Sequence, residues 1–91
     1  MTRIVARPVW GAYVLFDPET GEYSFQCLCG GAALYFQRVL LTPDEAAQVG
    51  AGTFDGDQMV RDVCKQTARV KDRFVPTFQG EDFDALFDPK P

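Results

Sequence analysis

Within Glu22 to Leu28, polar and apolar residues alternate strictly as far as Cys27. Tyr23, Phe25 and Cys27 point one way, while Glu22, Ser24 and Gln26 point the other. A period of two predicts a strand with one buried face. After Cys29-Gly30-Gly31 the pattern changes. Ala32 to Leu41 is apolar on both faces except at Gln37 and Arg38. Such a run predicts a central strand covered on both sides, or one covered on one side and open to a partner on the other. Upstream, Trp10 to Phe16 is rich in β-formers, with Tyr13 and Leu15 on one side and Val14 and Phe16 on the other. Arg3 to Arg7 is a shorter β-prone piece that stops at Pro8, which suits an edge strand or an arm.

The connections are short. Asp17-Pro18-Glu19-Thr20-Gly21 has a proline to set the turn and a glycine that can take positive φ, so it reads as a hairpin loop. Cys29-Gly30-Gly31 is a second reversal or a bulge. Short links between successive strands make an antiparallel meander the natural topology.

The helical period takes over at Thr42. Thr42-Pro43-Asp44-Glu45 is a start signal: Thr as N-cap, Pro at the first helical position and Glu at the capping-box position. This predicts a short helix over about 43–49, closed by Gly50-Ala51-Gly52. A longer helix is predicted over about 57–73. There Met59, Val60, Val63, Cys64, Thr67, Val70 and Phe74 form a stripe to lie on the sheet, before Val75-Pro76 ends it. Residues 78–80 suit a short extended piece, and Glu81 to Asp88 one or two helical turns. The expected fold class is α+β: a small antiparallel meander of three to four strands packed against one main helix and one short one. Residues 1–91 form a single domain, with 80–91 as an acidic C-terminal tail.

Charge changes this picture more than composition does. There are 9 basic and 13 acidic residues, a net charge of −4. That disfavours direct binding to nucleic acid or to an anionic membrane and favours a basic protein partner. No apolar run reaches the length of a membrane span, and the N-terminus lacks the apolar core of a signal peptide, so the expected location is cytoplasmic. Arg61, Lys65, Arg69, Lys71 and Arg73 gather in the second helix, where they read as a solvated face. The rest of the chain is correspondingly acidic. Asp17, Glu19 and Glu22 cluster at the hairpin, and Asp82, Phe83, Asp84 and Phe87 interleave carboxylates with large apolar side chains in the tail.

Little in the chain supports catalysis. There is no histidine, no nucleophile elbow and no phosphate loop, and nothing in the spacing of the carboxylates selects a catalytic pair. Three cysteines, an odd number, fit reduced thiols better than a disulfide framework. Cys27 and Cys29 share a strand face with Tyr23 and Phe25, so they read as small core residues; no metal and no cofactor is expected. The alternative is a Cys-dependent metal- or thiol-binding domain built on Cys27, Cys29 and Cys64.

This profile of size, acidity and fold class resembles that of immunity proteins that neutralise bacterial toxins, and of phage-encoded inhibitors. The resemblance implies a non-catalytic binder that blocks the active site of a basic toxin or enzyme. The partner-binding residues expected on this reading are the hairpin acids Asp17, Glu19 and Glu22, the sheet aromatics Trp10, Tyr13 and Tyr35, and the tail residues Asp82, Phe83, Asp84 and Phe87. A homodimer formed through the two-sided strand Ala32 to Leu41 is the other arrangement the pattern allows.

Overall fold

A computed structural model describes residues 2–30 and 34–77. Five strands and two helices follow in the order β1 (Arg3–Val9), β2 (Ala12–Asp17), β3 (Glu22–Cys29), β4 (Tyr35–Leu40), α1 (Pro43–Ala51), α2 (Gly56–Lys65) and β5 (Phe74–Val75). The strands form one antiparallel sheet in sequence order, β1-β2-β3-β4-β5. The expected α+β meander is what forms, with one strand more than its upper count.

Strand parity assigns the faces. Val14 pairs with Phe25, Ala12 with Cys27, and Phe25 with Val39, so these side chains share one face. Met59 and Val63 of α2, with Val70 from the turn beyond it, pack onto that face as one buried cluster. Val49 of α1 and Phe54 join its margin. On the opposite face Tyr13, Leu15, Ser24 and Gln26 are also buried. The strands buried on both sides are therefore β2 and β3. The run from Ala32 was expected to be a central strand, and its described part, Tyr35–Leu40, does lie between β3 and β5, with Tyr35 exposed at its start. Residues 31–33 and the predicted elements at 78–80 and 81–88 lie outside the described residues.

β1 is an edge strand, as its proline requires. Its register slips between Ile4 and Ala6 and again between Ala6 and Val9. Such irregularities, with Arg3, Arg7 and Pro8 on the strand, blunt an edge against pairing with other chains. The expected strand start at Trp10 is instead the turn: Gly11 has a φ of +77° and the chain reverses there into Ala12. Pro8 also meets α2. A Cβ on Gly56, the first residue of that helix, would come 2.7 Å from the Pro8 Cβ.

The second helix is shorter than its periodicity predicts. It ends at Lys65 because Gln66 turns left-handed (φ 52°, ψ 49°) and its N–H bonds back to Asp62 and Val63. Arg69 and Arg73 thus leave the helix, and a turn carries them back to acidic groups. Glu45, buried in α1, accepts from Arg73 Nη1 at 2.6 Å and from Arg69 Nη2 at 3.0 Å. Arg69 Nη1 also reaches Asp62 at 2.7 Å. Glu45 closes the expected capping box too, taking the Thr42 N–H at 2.9 Å while its own N–H donates to Thr42 Oγ1. One carboxylate joins the start of α1 to the turn that leads into β5. Burial alone would raise the Glu45 pKa, but the Thr42 N–H and the two guanidinium groups outweigh it and hold the carboxyl below its usual range.

Two outcomes follow. Gly56→Ala gains at most about 1 kcal/mol of helix propensity but overpacks the Pro8 ring, which typically costs about 1–3 kcal/mol, so the variant unfolds at lower denaturant than the parent. Glu45→Ala loses the carboxylate half of the capping box and both guanidinium contacts to it, leaving Arg69 on Asp62 and Arg73 on the Leu40 carbonyl, a loss of about 1–2 kcal/mol. Because the folded carboxyl titrates below the unfolded one, its stabilisation is complete above the ordinary value of 4.5 and is lost as pH falls through the lowered folded value. Denaturant titrations across acidic pH should therefore show a shallower acid loss in Glu45→Ala than in the parent.

Candidate functional site

In an antiparallel meander the β1–β2 and β3–β4 connections share one end of the sheet, and the β2–β3 hairpin occupies the other. This divides the residues expected to act together. Trp10 lies in the β1–β2 turn and is 90% exposed. Tyr35 opens β4 at the same end and is 48% exposed; Leu34 before it is 64% exposed. Asp17, Glu19 and Glu22 sit at the far end, separated by the six residues of β2, roughly 17–20 Å.

The sixth described residue of the expected set is elsewhere. Tyr13 is only 1% exposed, so it is not a surface anchor. Its neighbours in β2, from Ala12 to Leu15, are buried on both faces, and its hydroxyl accepts a hydrogen bond from Gln26 Nε2 at 2.8 Å. Burial pushes its phenol up to about 12, against the opposing pull of that bond and of the Arg7 and Arg38 charges. Asp82, Phe83, Asp84 and Phe87 lie outside the described residues. Leu34 was missed, although its place in an apolar run next to Tyr35 was a usable signal.

The acidic end is less bare than its sequence implies. The Asp17 carboxylate accepts from the Glu19 N–H at 2.9 Å, closing the turn, and Glu22 accepts from the Thr20 hydroxyl at 3.4 Å. By parity Asp17 and Glu22 share a sheet face with Arg38, whose guanidinium donates to Ser24 Oγ at 2.8 Å and to the Pro76 carbonyl at 3.2 Å. Burial lowers the Arg38 pKa, and the charges of Asp17 and Glu22 oppose that shift. Behind the tip, an open depression of about 400 Å³ runs between the hairpin and the start of α1, lined by Glu22, Tyr23, Leu41, Thr42 and Pro43.

The cysteines are brought together, as neither strand nor helix pattern alone could reveal. Cys29 and Cys64 form a disulfide that ties β3 to α2 across 35 residues, correcting the expectation of reduced thiols throughout. Cys27 keeps its thiol and is buried in the core, as its strand position predicts. Its sulfur lies 3.8 Å from Cys29 Sγ. Burial pushes this thiol up to about 11. It is therefore protonated at neutral pH and a poor nucleophile toward the neighbouring disulfide.

Among the described residues, no helix is long and apolar enough to cross a membrane. No protein-family model, curated protein or solved structure matches the chain.

The Cys29–Cys64 link closes a loop long enough to be worth about 4 kcal/mol in a chain-entropy model. Cys64→Ser should lower the denaturant midpoint by a corresponding amount. Reduction of the parent should reproduce that loss, and reduction of the variant should change little.

Proposed function

We propose that the protein is a non-catalytic acidic binder that blocks the active site of a basic protein, in the manner of an immunity protein against a bacterial toxin effector. Trp10 is the observation that carries this reading. A tight turn holds a nearly fully exposed indole at the end of the sheet where Leu34 and Tyr35 are also exposed. Large aromatic side chains held at low conformational cost are the commonest energetic centres of protein interfaces.

On this reading the two ends have separate tasks. The aromatic end supplies buried contact area. The hairpin acids and the net charge of −4 accelerate encounter with a positively charged partner, because long-range attraction acts mainly on the association rate. The location proposed is the bacterial cytoplasm. A homodimer through Leu34 and Tyr35 uses the same exposed side chains, and light scattering on the purified chain separates the two arrangements.

The test starts from the partner captured from the source cell. Trp10→Ala should accelerate dissociation and weaken binding by about 2 kcal/mol or more, roughly thirtyfold. Reversing Asp17, Glu19 and Glu22 to Lys should slow association and flatten its salt dependence while leaving dissociation nearly unchanged. Unaltered kinetics in both variants would remove the proposal, as would turnover of a small substrate by the chain alone.

A further inference from the structure

Cys27, Cys29 and Cys64 place three sulfur atoms within 4.8 Å of one another in the seam between α2 and the sheet. We propose that, with the disulfide reduced, these three sulfurs hold one Cu(I) ion. The geometry comes from two elements. Cys27 and Cys29 are two apart on β3 and so share its inner face, and α2 sets Cys64 against them. Sulfurs about 2.3 Å from a common metal lie roughly 3.8–4.0 Å apart. The Cys27–Cys29 separation is already 3.8 Å. Breaking the Cys29–Cys64 bond lets those two sulfurs part to a similar non-bonded distance.

The donor set selects the ion. The chain has no histidine, and the cluster contains no carboxylate. Structural zinc takes four ligands, whereas three soft thiolates suit Cu(I). A second observation concerns the residue that faces Cys27 across the ladder. Gln37 lies directly across the ladder from Cys27 on the same face. Its amide Nε2 is buried with no hydrogen-bond partner among the described residues. A buried donor left unpaired is costly; no sulfur accepts from it in the oxidised chain, and a metal-bound Cys27 thiolate across the ladder would offer a stronger acceptor than a thiol or a disulfide.

The chemistry balances. A small dithiol supplies two electrons and two protons to the Cys29–Cys64 bond, which becomes two thiols while the dithiol closes to a cyclic disulfide. Cu(I) then replaces the thiol protons of the three cysteines as three S–Cu bonds form, with no further electron transfer. Because protons leave, loading weakens as pH falls. The metal also restores the covalent tie between β3 and α2 that reduction removes.

The full chain, reduced anaerobically with a dithiol and desalted, should bind one Cu(I) per molecule in competition with a Cu(I) chelator. X-ray absorption should count three sulfur neighbours, and the oxidised chain should bind none. Cys27→Ser keeps the disulfide available as a folding control in its oxidised form; once reduced, it should hold Cu(I) roughly tenfold more weakly or worse, with two sulfur neighbours. If the reduced metal-free chain loses its near-ultraviolet circular dichroism, Cu(I) should restore it. Failure to bind or to restore, equal affinity in Cys27→Ser, or preference for Zn(II) at equal concentration would each overturn the site.

Discussion

The contact between α2 and the inner face of the sheet is the constraint on which the other features depend. Met59 and Val63 are buried against Val14, Phe25 and Val39, and Cys64 bonds to Cys29 beside them. The helix spans only ten residues, too few to persist in isolation, so tertiary burial must hold it. Gly56 lets its first turn close on Pro8 of β1. The αL residue Gln66 then ends it early enough for Arg69 and Arg73 to fold back onto Glu45 and Asp62. The ion-pair network is thus a consequence of where the helix stops.

That architecture separates the exposed large apolar side chains from the hairpin acids. With α2 and the α1 margin on one face, and Tyr13, Leu15, Ser24 and Gln26 buried on the other, exposed large side chains are pushed toward the strand ends. Trp10, Leu34 and Tyr35 gather at one end and the hairpin acids at the other. A binder divided this way couples steering to anchoring through its orientation at encounter. On the proposed binding function, its affinity would rest on the aromatic end, since exposed charge pairs contribute little once a complex has formed.

Much of the fold was legible in residue order. Strict alternation from Glu22 identified β3, and Thr42-Pro43-Asp44-Glu45 announced α1 together with its capping box, because both signals are local. What escaped was non-local. Nothing near Gln66 marks a helix end, since no glycine stands there. The apolar run continues past the helix through Val70, which is buried, and Phe74, which is half-buried. Tyr13 looked like a surface aromatic when taken alone, although the unbroken run Ala12-Tyr13-Val14-Leu15-Phe16 carries the mark of a strand covered on both sides. The pairing of Cys29 with Cys64 depends on a helix docking 35 residues later.

Trp10 is the chain's single tryptophan, so its fluorescence reports on one place alone. Quenching by a small neutral solute, measured on the free protein and again with its captured partner at saturation, tests the central claim most directly. The account predicts an indole open to the quencher in the free chain and shielded in the complex, with its emission shifted to the blue. Equal quenching in both states would contradict it, because the aromatic end would then be no part of the interface.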